Sequence, residues 1–118
     1  SVAAIVSDLA DRGMLDSTLI GVMSEVVRTP RINPRYGRDH WGNAWSVVLG
    51  GGRVHRGALY GATNKNGTAV SDKEVDHGQL FHTYLQAVGL DSTSSFHVGA
   101  RDLPMADPAA SAIDELLV

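Results

Sequence analysis

The feature that most constrains this chain is an abrupt change of character between residues 18 and 41, TLIGVMSEVVRTPRINPRYGRDHW. Residues 18–23 are a short apolar run of the length and type expected of a strand buried on both faces. Ser24 and Glu25 then fall at the strand's expected carboxyl end. A long loop follows with Arg28, Arg31, Arg35, Arg38, Asp39 and His40, and Pro30 and Pro34 keep it out of any helix or central strand. In open α/β sheets, reacting groups sit on loops just beyond the carboxyl ends of strands. Glu25 therefore has two readings, a carboxylate placed for chemistry or a strand-end acid paired with a loop arginine.

Charge sharpens the second half of that stretch. Residues 28–56 carry six of the ten basic residues, Arg28, Arg31, Arg35, Arg38, Arg53 and Arg56, against one acid, Asp39. All six are arginine, whose planar fork matches sulfate, phosphate or carboxylate. A small anionic ligand fits this pattern, and so does a solvated loop whose arginines pair with Asp and Glu from elsewhere. Nucleic acid fits poorly, because the whole chain has a formal charge of −3 and few aromatic residues interleave the arginines.

With 118 residues, the chain is long enough for one core, and the reading is a single domain over 1–118. No apolar run approaches the roughly 18 residues of a membrane helix. No signal peptide is visible at Ser1. The absence of cysteine removes disulfides, thiolate zinc sites and a cysteine nucleophile from consideration.

Around the central stretch, the pattern predicts alternating helices and strands. Val2, Ile5, Val6 and Leu9 recur at helical spacing over residues 2–12, with Gly13 as the C-cap. A helix feeding a buried strand is the repeating unit of a parallel α/β sheet. Residues 45–49, WSVVL, read as a second buried strand closed by three glycines. Those glycines are a flexible turn and not a phosphate loop, since neither GKS nor GKT follows and the next segment is no helix start. Residues 57–60 suggest a brief edge strand, 64–67 a turn with its Asn-Gly pair, and 68–71 a further short strand.

A helix is predicted over 77–88, opened by Asp76 or Asp72, striped with Leu80, Tyr84, Leu85 and Val88, and stopped by Gly89. His77 and His82 are five residues apart, so they do not stack on one helical face as ligands; both read as surface or core-edge residues. A Ser/Thr-rich loop over 91–95 leads to an extended piece at 96–98, where His97 has no assigned role. Pro104 and Pro108 mark an irregular tail, and 109–118 is expected to be a short amphipathic helix.

The segments SEVVRTP, GRDHWGNAWSVVLGGG, GALYGAT and LFHTYLQAVGL occur in that order. Together they resemble the carboxyl-terminal part of the bacterial domain-of-unknown-function family numbered 1501, a branch of the alkaline phosphatase and sulfatase superfamily, over about residues 2 to 103. The resemblance implies an alkaline phosphatase-like fold: part of an α/β/α three-layer sandwich with a mainly parallel sheet. It implies a metal-dependent hydrolase of anionic esters, acting on a small ester or a sulfated or phosphorylated glycan. By position, Glu25 and His40 are the implied ligands of a divalent ion, zinc, calcium or magnesium. Arg28, Arg38 and Asp39 occupy substrate-binding loop positions. Such an ion polarises a phosphoryl or sulfuryl oxygen while nearby arginines stabilise developing charge.

The departures carry information too. Val26 and Val27 stand where the family has Phe and Gly, and Val26 supplies no second ligand after Glu25, so a two-metal site is not expected. Gln79 replaces an Asp and is expected to alter a local hydrogen bond. The resemblance implies that the nucleophile belongs to an upstream half of the same protein, leaving this part inactive alone, and that the protein is exported or periplasmic. Exposed sheet edges suggest self-association. The competing expectation is a non-catalytic module that binds an anion or glycan through Arg28, Arg35 and Arg38.

Overall fold

A computed structural model describes all of residues 1–118. The chain divides into two compact units, one formed by residues 1–20, 49–59 and 75–118, the other by residues 21–48 and 60–74. The regular elements are α1 (Val2–Asp11), β1 (Leu19–Val22), β2 (Val27–Arg28), β3 (His40–Trp41), β4 (Val48–Gly51), β5 (Ala62–Thr63), β6 (Val70–Asp72), α2 (His77–Ala87), β7 (Ser95–Val98) and β8 (Arg101–Pro104). Short 3₁₀ turns occupy Leu15–Ser17 and Asp114–Leu116. Neither helix is long and apolar enough to cross a membrane.

This architecture overturns the expected three-layer sandwich. The strands form four separate pairs, β1 with β4, β2 with β3, β5 with β6 and β7 with β8. The last three pairs are antiparallel. A parallel sheet needs a crossover of a dozen or more residues, usually helical, between consecutive strands. Here the links from β2 to β3, β5 to β6 and β7 to β8 are loops that fold straight back. No strand exceeds four residues, too short to build the continuous buried ribbon of a doubly wound fold. The result is a small mixed fold.

In the first unit, α2 is the organising element. Asp76 caps it by accepting from the Gln79 amide at 2.7 Å, and the Gln79 side chain accepts from the Asp76 amide at 3.1 Å. This reciprocal box satisfies two donors that a helix start otherwise leaves open. It also gives Gln79 its role. The buried face of α2 is His82, Thr83 and Ala87, which corrects the expected stripe, since Val88 is exposed and Leu80, Tyr84 and Leu85 are only half-buried. The Thr83 hydroxyl donates to the Gln79 carbonyl at 2.7 Å and accepts from the Ile113 amide at 3.0 Å, tying the tail to the helix.

His82 lies deeper than its surface or core-edge reading. It is 3% exposed, with Nε2 2.8 Å from the Asp107 carbonyl and Nδ1 2.8 Å from the Ser92 hydroxyl. A carbonyl only accepts, so in the neutral ring Nε2 carries the proton and Nδ1 accepts from Ser92. Ser92 in turn accepts from Gln86 Nε2 at 3.1 Å. The chain Gln86, Ser92, His82, Asp107 is thus fully satisfied, which is what allows a polar cluster to occupy the core.

The triple glycine is a close contact instead of a flexible turn. Gly51 belongs to β4 with φ 71°, and a Cβ there would collide with the Thr18 carbonyl oxygen. Gly52, at φ 55°, lies so near α2 that a Cβ would sit 2.7 Å from the Ala87 carbonyl oxygen. That oxygen is an orphan acceptor at the helix end, and the Arg53 amide donates to it at 2.9 Å.

Other expectations shift. The run at 18–23 forms the four-residue β1, half-buried at Leu19 and Ile20 but exposed from Gly21 onward. The strand at 45–49 begins three residues later, as β4. No strand forms at 57–60, and the tail at 109–118 has only a 3₁₀ turn. β7 and β8 form a hairpin in register from Ser95 opposite Pro104 to Val98 opposite Arg101, with His97 Nδ1 against the Asp102 carboxylate.

Candidate functional site: an arginine-rich hairpin

The second unit contains Glu25, Arg28, Arg38, Asp39 and His40. β2 and β3 pair antiparallel, placing Val27 opposite Trp41 and Arg28 opposite His40. Directly opposed residues on an antiparallel pair project to the same face with Cβ atoms roughly 5 Å apart. Arg28 and His40 are therefore cross-strand neighbours, and Asp39 adjoins His40 in sequence. Glu25 lies in an exposed bend two residues before β2.

The connecting loop is held by its own side chains. The Thr29 amide donates to the Asp39 carbonyl at 2.9 Å, and the Asp39 amide to the Thr29 hydroxyl at 3.2 Å, carrying the hairpin one step past the strands. Arg38 Nη1 reaches back to the carbonyls of Thr29 at 2.8 Å and Pro30 at 2.5 Å. Arg28 Nη1 donates to the Arg38 carbonyl at 3.3 Å. Asn33 braces the tip: its Oδ1 accepts from the Arg35 and Gly37 amides at 2.9 and 3.0 Å, and its Nδ2 donates to Asp39 Oδ1 at 2.9 Å. Trp41 anchors the base by donating from Nε1 to the Thr68 carbonyl at 2.9 Å. Thr68 belongs to the turn following Asn64, which closes as its Asn-Gly pair predicts.

The six arginines clustered in sequence do not form one group. Arg28, Arg31, Arg35 and Arg38 belong to the second unit, whereas Arg53 and Arg56 belong to the first, where Arg56 pairs with Asp16 at 3.3 Å. Of the four in the hairpin, Arg28 and Arg38 spend donors on the loop backbone. Arg31 and Arg35 are exposed. A guanidinium has five N–H donors, so the bound pair retains donors for an anion.

These features decide what the hairpin can do. Arg28, Arg38, Asp39, His40 and Glu25 are all exposed, so water competes for the polar groups of each. Carboxylate and imidazole are the right donor types for a divalent ion. Yet no group of three or more His, Asp or Glu side chains is arranged to hold one. Glu25 and His40 do not by themselves make a metal centre.

A family model described as "Protein of unknown function (DUF1501)" matches residues 1–117. The chain belongs to the DUF1501 family. No match is found among curated proteins or among solved structures. For this DUF1501 chain, the hairpin strands, the Arg38 clamp and the exposed tip at Tyr36 were not legible from residue pattern. Tyr36 was not singled out, although Asn33 and Gly37 on either side of it are the turn-forming residues that could have drawn notice.

Proposed function

We propose that this chain supplies the anion-binding hairpin of a metal-dependent hydrolase of sulfate or phosphate esters, of the sulfatase and phosphatase kind, working in an exported protein. Arg28 and Arg38 contact the ester's charged oxygens, with Asp39 and His40 at the same end of the hairpin. The observation that carries the reading is the register that puts Arg28 and His40 side by side, with Asp39 adjoining His40 in sequence. Membership in the DUF1501 family over 1–117 gives the reading its context. Glu25 and His40 serve as two ligands of a divalent ion (zinc, calcium or magnesium) whose other ligands, like the nucleophile, come from an upstream half of the same protein. Such an ion, when bound, polarises the ester oxygen.

The test is turnover of aryl sulfate and aryl phosphate esters by a longer protein containing this segment, with and without divalent ions. Under this reading, activity depends on a divalent ion and falls at least 100-fold in His40→Ala. Ion-independent activity, or full activity in His40→Ala, contradicts it. A second reading, binding without hydrolysis, is favoured by the engagement of Arg28 and Arg38 with backbone carbonyls and by the absence of a three-ligand cluster. It expects ester binding without turnover in any length of the protein.

A further inference from the structure

In the first unit, the carboxyl end of α2 and the segments packed on it form an open cavity of about 330 Å³, lined by Arg53, Gln86, Leu90, Asp91, Leu117 and Val118. Small-molecule pockets begin at roughly 300 Å³. Arg53 is held there by its backbone: its amide donates to the Ala87 carbonyl and its carbonyl accepts from the Val118 amide, both at 2.9 Å. Its guanidinium is exposed and pairs with no carboxylate, unlike that of Arg56, which pairs with Asp16. Asp91 is fixed instead by its side chain. Its Oδ1 accepts from the Thr93 hydroxyl at 2.7 Å and the Thr93 amide at 2.9 Å, which leaves Oδ2 for another donor. Those bonds, the hydroxyl's foremost, hold the carboxyl below its ordinary value of 3.8, so it is anionic at neutral pH. Gln86 donates from Nε2 to the Ser92 hydroxyl at 3.1 Å, which leaves its Oε1 as an acceptor.

One cavity thus brings together a guanidinium, a carboxylate and an apolar wall made by Leu90 and Leu117. We infer that it binds a free zwitterionic α-amino acid with an aliphatic side chain of leucine size, Arg53 taking the carboxylate, Asp91 the ammonium group, and Leu90 and Leu117 the side chain. Leu90 is 48% exposed, so a ligand that covers it removes apolar surface from water. No basic residue stands in the last turn of α2, and the negative end of the helix adds to Asp91 in favouring an ammonium group. Gln86 Oε1 gives that group a second acceptor. A lone inorganic anion meets Asp91 as a like charge, and a divalent cation meets Arg53 as one, so neither suits both groups. The assignment is independent of the arginine-rich hairpin, whose residues belong to the second unit.

The test titrates the protein with L-leucine, glycine, N-acetyl-L-leucine and L-leucinamide by calorimetry, with amide chemical shifts to locate the response. L-Leucine binds saturably, with shifts centred on Arg53 and on residues 86–91. N-acetyl-L-leucine lacks the ammonium group, L-leucinamide the carboxylate and glycine the side chain, and each binds at least tenfold more weakly. Arg53→Gln keeps both backbone bonds; it weakens L-leucine at least tenfold without lowering the melting temperature and leaves L-leucinamide binding unchanged. Asp91→Asn keeps an Oδ1 for Thr93; it weakens L-leucine to a similar degree and leaves N-acetyl-L-leucine binding unchanged. Failure of L-leucine to saturate, shifts centred on other residues, any of the three analogues binding as tightly as L-leucine, or unchanged L-leucine affinity in either variant overturns the proposal.

Discussion

Arg28 and His40 stand directly opposite each other across the antiparallel pair β2 and β3, and the Arg28 guanidinium donates to the carbonyl of Arg38, two residues before His40. The pairing sets what the hairpin presents. A shift of one residue would turn every side chain of one strand to the other face. The loop's internal hydrogen bonds therefore fix which groups share a surface.

Arg38 is the principal clamp, since one nitrogen reaches two carbonyls. Arg38→Ala is expected to leave the fold intact but loosen the loop by about 1 kcal/mol, the usual net value of such a bond. Hydrogen exchange at the Thr29 and Asp39 amides should quicken by roughly fivefold. Arg38→Lys, lacking the planar fork, should recover only part of the protection.

Gly52 separates conformational cost from collision. Gly52→Ala pays for a left-handed backbone and also drives a methyl group against the Ala87 carbonyl, so a loss of about 2 kcal/mol or more is expected in urea unfolding. Gly13 has φ 66° but open space around the added atom. Gly13→Ala should cost only about 1 kcal/mol.

In the core, Thr83→Val keeps the shape and removes both hydroxyl bonds, leaving the buried Ile113 amide without its acceptor. A loss of about 1 to 3 kcal/mol follows from that unsatisfied donor. Thr83→Ser, which retains the hydroxyl, should lose less in the same denaturation series.

Burial of the Tyr84 ring pushes its hydroxyl above the ordinary value of 10.0. The folded state holds that proton more tightly than the unfolded chain, so the contribution is fully present below pH 10 and is lost as pH rises through the folded value. Tyr84→Phe should accordingly show a shallower fall in stability above about pH 10. A fall as steep as that of the unchanged protein would remove Tyr84 from the alkaline response.

How far the residues disclosed this structure depends on the kind of signal. α2 was legible because Asp76 (or Asp72) and Gly89 punctuate it, and α1 because Val2, Ile5, Val6 and Leu9 keep the period. The sheet was not. An apolar run such as residues 18–23 fits a strand buried on two faces or a half-exposed one, and the pattern does not distinguish them. Two-residue strands such as β2 and β3 show no period at all. β8 ends on Pro104, which reads as a break although a strand end tolerates it. His82 read as a surface or core-edge residue because its partners, Ser92 and Asp107, are distant in sequence. Glu25, His40, Arg28, Arg38 and Asp39 did fall together in one unit, since a single hairpin carries nearly all of them.

The central claim is that this hairpin binds the charged oxygens of an ester. The most direct measurement is the affinity of the protein for 4-nitrophenyl sulfate and 4-nitrophenyl phosphate, followed through the His40 ring resonances and compared with Arg28→Ala. The account predicts saturable binding that shifts the His40 signals and weakens at least tenfold in Arg28→Ala. Unmoved His40 resonances, or equal affinity with and without Arg28, would contradict it.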